Sequence, residues 1–210
     1  MFEEFINRIA QQLKEKLPGE EAQHKMSPKG RKTTSHYLST NPNPKRSAVL
    51  ILIYQHQSNP HIVFILRPSY EGTHSGQVAF PGGKVEEGDT SLQDAALRET
   101  EEEIGVNRNT VKLLGALTPL YIPVSNFLVH PFVGSVSAKP RFAPDPNEVE
   151  QIIEVSLSEI TDDRLVKNKT ILIKSVNLEI ETPYFDLGGH TVWGATAMIL
   201  SELKEVLRKA

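Results

Sequence analysis

The chain has 210 residues, of which 39% are hydrophobic and 23% are charged, a composition typical of one globular domain. The formal net charge of −3 excludes a global positive field that would attract nucleic acid or an anionic membrane surface. The absence of cysteine excludes disulfides and thiolate metal sites, and no signal peptide or membrane-spanning segment is evident. We therefore expect a soluble, cytoplasmic protein.

The N-terminal part of the chain divides into a helix and a basic segment. Apolar residues recur at helical spacing from Phe2 to Leu17, and Pro18-Gly19 is expected to end this helix. Residues 20–46 are rich in Lys, Arg, Ser, Thr and Pro, and they contain few large apolar residues. We interpret them as a mobile connecting arm, with a basic flap that meets an anionic substrate as the alternative. Residues 1–46 are thus separated from a main domain at residues 47–210.

The main domain is predicted to combine strands with two helices. β-Branched apolar runs predict strands over residues 47–54, 62–66, 111–117, 127–136, 151–155, 170–173 and 178–185. Helical periodicity indicates helices over residues 91–104 and 192–208. Helices that flank a mixed sheet are typical of an α/β layered domain.

The first of these helices carries an unusual cluster of acids. Ser91 followed by Asp94 is typical of a helix start, and Gly105 is a natural stop. Because each helical residue turns by roughly 100°, three carboxylates share one sector of the helix surface. They belong to Glu99, Glu102 and Glu103.

This cluster is unfavourable for a helix by itself. Like charges at i,i+4 cost about 0.2–0.5 kcal/mol, and anions in the last turns oppose the helix dipole by roughly 0.3–1 kcal/mol each. A hard divalent cation such as Mg²⁺ or Mn²⁺ would reverse both penalties. A solvated acidic face is the alternative for such a helix alone. However, the preceding Pro81-Gly82-Gly83 turn lets backbone approach a ligand, while Lys84 and Arg98 supply bases for a phosphate and a carboxylate. We therefore predict a metal–diphosphate site.

The segment resembles the Nudix box, in which G-x5-E is followed by x7-R-E-U-x-E-E-x-G-U, with U a bulky apolar residue. Arg98-Glu99, Glu102-Glu103 and Gly105-Val106 match its second half. Thr100 replaces a bulky apolar residue, and one extra residue after Gly83 puts Asp89 at the first Glu position. The resemblance implies a Nudix-type α/β/α sandwich, with a mixed β-sheet flanked by helices, that hydrolyses a diphosphate bond in a nucleotide derivative.

The sequence upstream of the box is similar to the coenzyme A pyrophosphatase-like branch of the same family. Leu66-Arg67, Gly76 and Phe80-Pro81-Gly82-Gly83 are in register with its second signature, and the Trp193-Gly194-Ala195-Thr196 helix also looks like this branch. Ile65, Pro68 and Gly72 depart from three of its polar positions, and Gly72 replaces an Arg. The branch implies hydrolysis of coenzyme A or acyl-coenzyme A to an adenosine bisphosphate and a phosphopantetheine.

Residue roles follow from the resemblance. The metal ligands would be Glu99, Glu102 and Glu103, with the Gly82 carbonyl as a further ligand, and Arg98 would orient a carboxylate. The candidates for the general base are Glu99, Glu103 and Glu148. The substrate-binding residues are predicted to be Arg67, Gly76, Gly83 and Lys84.

Two alternatives stay open at this point. The substrate could instead be ADP-ribose, a dinucleotide or a nucleoside triphosphate, and pocket-lining residues would decide between them. The domain could also be a nucleotide-sensing module without turnover, although a sensor needs no triad of carboxylates. We expect a small-molecule nucleotide as partner, neither nucleic acid nor membrane, and the sequence leaves a homodimer open.

Overall fold

The computed structural model describes residues 1–69, 74–173 and 178–210, with the side chains of residues 173 and 178 left out. Within these residues, the helices are α1 (Phe2–Gln12), α2 (Gly19–His24), α3 (Thr34–Thr40), α4 (Leu92–Ile104), α5 (Leu157–Thr161) and α6 (Gly194–Leu207). The strands are β1 (Lys45–His56), β2 (Asn59–Leu66), β3 (Val78–Ala79), β4 (Gly82–Lys84), β5 (Lys112–Ala116), β6 (Leu120–Ile122), β7 (Phe127–Val136), β8 (Gln151–Ser156), β9 (Val166–Ile173), β10 (Leu178–Leu187) and β11 (His190–Trp193).

The strands β1 to β8 form a mixed sheet in the described part of the chain. Its main order is β3-β2-β1-β7-β5, and β4, β6 and β8 pair with β1, β7 and β2 respectively. β1 and β7 pair in parallel over ten residues, whereas the other pairings of this sheet are antiparallel. A second, antiparallel sheet has the order β11-β10-β9. β1 is therefore the central strand that joins the glycine turn to the rest of the sheet.

β1 is buried on both faces. Leu50, Leu52 and Tyr54 pack in one apolar cluster with residues of α4 such as Ala95 and Ala96. The alternate residues Ile51 and Ile53 pack in a second cluster, together with residues of α1 and α6. Because successive side chains of a strand point to opposite faces, the continuous apolar run in β1 is what a sheet between two helical layers requires. The mixed sheet flanked by helices is thus confirmed.

The N-terminal residues differ from the prediction. α1 ends at Gln12, five residues before Leu17, and the chain continues through turns with Leu13 buried. Residues 20–46 were expected to form a mobile connecting arm, but they contain α2 and α3 and pack against the main domain. Polar contacts help to hold this segment against the main domain. Buried Gln23 donates hydrogen bonds to the Glu202 carboxylate (2.9 Å) and the Thr118 carbonyl (2.8 Å), an anchor that a count of apolar residues does not reveal.

All seven predicted strands and both main helices are present, with ends that lie within four residues of those expected. The short strands β3, β4, β6 and β11 were not predicted, because two to four residues are too few to show periodicity. In the described residues, the helices are too short or too polar to cross a bilayer. Separation of the chain at residue 46 stays a prediction.

Candidate active site

The acid-rich helix α4 begins and ends where its sequence indicates. The Ser91 hydroxyl accepts a hydrogen bond from the Asp94 N–H (3.1 Å), and Gly105 closes the helix with a φ of 71°. Thr100, the departure from the box pattern, is buried, and its hydroxyl donates to the Ala96 carbonyl (2.7 Å). The hydroxyl hydrogen of Thr100 is thus hydrogen-bonded within the helix, so the side chain fills a core position without an unpaired donor.

Three carboxylates converge beside α4. Oxygen atoms of Glu99, Glu103 and Glu148 all lie within 4.8 Å of one another. Glu148 reaches the helix because its loop is bonded to the helix end: the Asp145 N–H donates to the Glu103 carbonyl (3.0 Å) and the Ala143 N–H to the Ile104 carbonyl (2.9 Å). The loop thereby also satisfies carbonyls that a helix terminus leaves without partners.

Glu103 is the most buried member of the cluster, with 1% of its surface exposed. Its carboxylate accepts a hydrogen bond from the Gly82 N–H (2.7 Å), and the Arg67 guanidinium lies 3.5 Å away. Burial raises the pKa of Glu103 to about 7, against the opposing effects of Arg67 and the Gly82 N–H. Burial also raises the pKa of Glu99, and the neighbouring Glu148 carboxylate adds to the rise for both. A concentration of negative charge thus lies next to the glycine turn.

Arg98 holds the exposed edge of the cluster. It binds Asp89 through two nitrogens, at 2.8 and 3.1 Å, and its third nitrogen contacts Glu102 at 2.8 Å and Glu99 at 2.9 Å. Arg98 was expected to orient a carboxylate; its bidentate partner is Asp89, and it contacts Glu99 and Glu102 through one nitrogen. Hydrogen bonding by Arg98 lowers the pKa of Asp89 and Asp89 raises the pKa of Arg98.

Glu102 occupies a different position from the other two predicted ligands. Its side chain is 56% exposed, compared with 13% for Glu99, and it faces Arg98 instead of the three converging carboxylates. Glu148 takes the third place in the cluster. Glu148 was predicted as a candidate general base and not as a metal ligand, and the metal-ligand role of Glu102 stays a prediction.

The two glycines of the turn are required by close packing. Gly82 has a φ of 144°, and a Cβ there would overlap the backbone of Ala48 and Val49 in β1. A Cβ at Gly83 would overlap the carboxylate of Glu99, 2.7 Å from its Oε1 and nearer still to its other atoms. The turn therefore brings backbone directly against the acid cluster, which only residues without side chains permit.

The remaining predicted site residues surround this turn. Arg67 donates to the Gly82 carbonyl (3.2 Å), the predicted backbone ligand. Lys84 is exposed, and its carbonyl accepts a hydrogen bond from Arg98 (3.3 Å). Gly76 has a φ of 63° in the turn before β3 and lies outside the cavity described next. Gly72, which replaces an Arg of the coenzyme A signature, lies outside the described residues.

A cavity of about 600 Å³ adjoins the glycine turn. Much of its wall is apolar, including Val49, Phe80, Ile122, Phe127, Trp193 and Met198. Its charged lining residues in the described part of the chain are all basic: Lys29, Arg31, Arg67 and Lys84. An apolar cavity with a few basic groups is suited to an organic anion. Arg31 was not predicted as a lining residue, although it belongs to the segment for which a basic flap was the alternative.

The donor set fits a hard divalent cation. Three carboxylates of which two are largely buried, with a backbone carbonyl beside them, offer the oxygen ligands that Mg²⁺ or Mn²⁺ prefers. The raised pKa values of Glu99 and Glu103 indicate that the charge of the cluster is only partly compensated by protein groups. The arrangement could therefore hold a cation opposite a diphosphate.

Comparison with known proteins agrees with this chemistry. A family model described as the NUDIX domain matches residues 44–175. A Nudix hydrolase of Yersinia pestis (strain Pestoides F), NudL, described as uncharacterized, is 34% identical over 202 residues, which cover 96% of this chain and 92% of the relative. The family and the relative identify an enzyme, so the sensing-module alternative is not supported.

Two solved structures share the fold. A Nudix hydrolase from M. smegmatis, RenU, aligns with a TM-score of 0.54 at 13% identity, covering 79% of this chain and 86% of that one. A MutT protein from Methanosarcina mazei Go1 aligns with a TM-score of 0.52 at 17% identity, covering 79% and 96%. At such identities they establish the fold alone. Together with the family match over residues 44–175 and the acid cluster, they lead to one conclusion: the chain belongs to the Nudix hydrolase family.

Proposed function

We propose that this enzyme hydrolyses the diphosphate bond of coenzyme A or an acyl-coenzyme A, releasing an adenosine bisphosphate and a phosphopantetheine. The observation that carries the proposal is the cavity, which joins a long apolar wall to four basic side chains, of which Arg67 and Lys84 lie at the glycine turn. A pantetheine or acyl arm is largely apolar, whereas the nucleotide end is anionic. Nudix hydrolases act on small-molecule nucleotide derivatives and generally use divalent ions, and this proposal names one such substrate.

The acid cluster would hold Mg²⁺ or Mn²⁺ through Glu99, Glu103 and Glu148, with Glu102 and the Gly82 carbonyl as the further ligands predicted from the sequence. When bound, such an ion would neutralise the negative charge of the diphosphate and activate water for attack on phosphorus. Glu148 is the exposed acid of the cluster, on a loop at the end of α4. Its position suits a general base that takes a proton from water, with Glu99 and Glu103 as the alternatives.

The basic residues have distinct proposed roles. Arg98 orients Glu99 and Glu102, because its guanidinium is itself fixed by Asp89. Arg67 lies between the Gly82 carbonyl and the cavity, where it would contact a phosphate oxygen. Lys84 lines the same wall with an exposed side chain that would serve as a second phosphate contact.

A second candidate keeps the chemistry and changes the substrate. Gly72 replaces an Arg of the coenzyme A signature, so one cationic group of that branch is missing from the sequence. ADP-ribose, a dinucleotide such as NADH, or a nucleoside triphosphate then becomes the substrate. All of these carry a diphosphate that could reach the glycine turn.

A product assay distinguishes these substrates. Coenzyme A, ADP-ribose, NADH and nucleoside triphosphates are offered separately with Mg²⁺, with Mn²⁺ and with a chelator. Preferential cleavage of coenzyme A that disappears with the chelator is the expected result. Preference for another substrate would replace the proposal while retaining the hydrolase.

Two variants on the same helix locate the chemistry. Glu99→Gln removes a charge from the cluster, and turnover is expected to fall by at least about 100-fold. Glu101→Gln is the matched control, because Glu101 points away from the cluster and pairs with Arg108 at 2.7 Å. Equal activity of the two variants would contradict the proposed site.

A further inference from the structure

The arm is defined here as residues 27–41, and it forms one wall of the cavity. Pro28, Lys29, Gly30, Arg31 and Tyr37 all belong to the lining. They lie on the side of the cavity that is formed with β6, whereas the glycine turn belongs to β4. This wall has no part in the proposed handling of the diphosphate.

The arm is held against β6 by several specific contacts. The Arg31 guanidinium donates to the Tyr121 carbonyl (2.5 Å), and the Tyr37 ring stacks on the Tyr121 ring with centroids 5.4 Å apart. Asn41 donates to both the Tyr121 hydroxyl (3.1 Å) and the Asn126 side chain (3.0 Å). Arg31 is therefore presented to the cavity from a fixed position.

The charge of Arg31 is incompletely satisfied by the protein. Its Nε is buried and has no hydrogen-bond partner, and no carboxylate within the described ranges forms an ion pair with it. The Glu20 carboxylate acts on it only at longer range, and Glu20 already accepts a hydrogen bond from the Thr34 N–H (2.5 Å). Burial accordingly lowers the pKa of Arg31 below its usual value. A buried donor without a partner is costly unless a ligand completes it.

A second unsatisfied group lies in the same wall. The Ser125 hydroxyl is buried, lines the cavity, and has no partner among the described residues. The other cation of the arm that lines the cavity, Lys29, already has the Glu181 carboxylate at 3.8 Å. The wall thus contains a guanidinium nitrogen and a hydroxyl whose hydrogen-bonding capacity is not met by the described residues.

These groups are far from the glycine turn. Gly82 pairs with Val49 in β1, β1 pairs with β7, and Tyr121 pairs with Leu128 on the other edge of β7. Three spacings of about 4.8 Å between adjacent strands separate β4 from β6 by about 14 Å. A single phosphate cannot contact both the glycine turn and Arg31. A ligand that fills the cavity and binds at both places must therefore carry two separate anionic groups.

We propose that Arg31, assisted by Ser125, forms a second anion subsite that binds a phosphate monoester on the part of the substrate that is not cleaved. The inference rests on the proposed function in that it assigns the glycine turn to the diphosphate. It makes the arm a determinant of substrate selectivity. Substrates with an additional phosphate bind more tightly than the same molecules without it.

The test compares ligands that differ by this phosphate alone. Isothermal titration calorimetry is carried out on metal-free protein with a chelator, first with coenzyme A and 3′-dephospho-coenzyme A, then with NADPH and NADH. Trp193, the single tryptophan of the chain, lines the cavity and gives an independent fluorescence signal for the coenzyme A pair. Since a charge-assisted hydrogen bond is lost, Arg31→Gln is expected to weaken binding of the phosphorylated member by about tenfold to 100-fold. Binding of the other member stays unchanged.

Two further variants keep the test decisive. Lys32→Gln removes a neighbouring exposed charge outside the cavity and is expected to retain the preference. Arg31→Lys keeps the positive charge but lacks the several N–H donors of the guanidinium, so an intermediate preference for the phosphorylated ligand is expected. This variant also replaces Arg31→Gln in the test if Arg31→Gln does not fold. The inference is overturned if the wild-type protein prefers the phosphorylated member of neither pair, or if Arg31→Gln weakens both members equally. A retained phosphate preference without coenzyme A hydrolysis would overturn only the proposed substrate.

Discussion

Replacement of Gly83 by alanine is expected to separate folding from catalysis in this enzyme. Gly83 lies in β4, opposite Ala48 in β1, and its φ lies outside the left-handed region that disfavours side chains. Alanine is therefore compatible with the backbone. The added methyl group, however, would occupy the space of the Glu99 carboxylate, which is a movable side chain and not backbone.

The expected magnitudes follow from this geometry. Ordinary contact requires about 3.5 Å between the methyl carbon and a neighbouring atom, whereas Oε1 of Glu99 is 2.7 Å away and other carboxylate atoms are nearer. Glu99 must therefore move by about 1 Å, and a misplacement of this size can cost about 100-fold in rate. The free energy of unfolding is expected to remain equal or to rise by about 0.4–1 kcal/mol, because alanine restricts the unfolded chain.

The measurement combines kcat with Mg²⁺ and the unfolding midpoint of the same protein. Gly88→Ala is the matched control, since among the described residues other than its chain neighbours no atom lies within 4 Å of a carbon added at Gly88. We expect the control to retain full activity. If Gly83→Ala keeps wild-type kcat at an unchanged midpoint, the close approach of the turn to Glu99 has no role in the reaction and our argument fails.

Two other predictions concern stability. Glu202 is buried and accepts hydrogen bonds from Gly19, Gln23 and Thr118. Glu202→Ala leaves these donors unpaired and should lower the free energy of unfolding, measured by urea denaturation, by about 3 kcal/mol. A loss under about 1 kcal/mol would show that water replaces the carboxylate. The pKa of Glu103 rises from 4.5 to about 7 on folding, so its favourable contribution is present below pH 4.5 and is lost as pH rises through about 7. Glu103→Gln should therefore stabilise the metal-free protein by about 3 kcal/mol at pH 8 and by little at pH 4.5, and equal effects at both pH values would contradict the raised pKa.

Local signals accounted for the helix that carries the acids. Ser91 and Gly105 mark its two ends because capping is a matter of a few neighbouring residues. The sector shared by Glu99 and Glu103 follows from the helical repeat. The apolar run of β1 likewise predicted a strand, and the structure shows that its alternate residues face two cores.

Only the tertiary structure decided how the site is completed. Glu148 joins the cluster through a loop bonded to the end of α4, and the arm becomes a cavity wall through contacts of Arg31 with Tyr121. Such contacts join residues far apart in the chain, where neither periodicity nor capping carries information. The sequence alone determined the acid-rich face of α4 and the strand in the apolar run of β1, because both depend on local spacing. The packing of the sheet, the loop and the arm decided which distant side chains lie beside the acid cluster and the cavity.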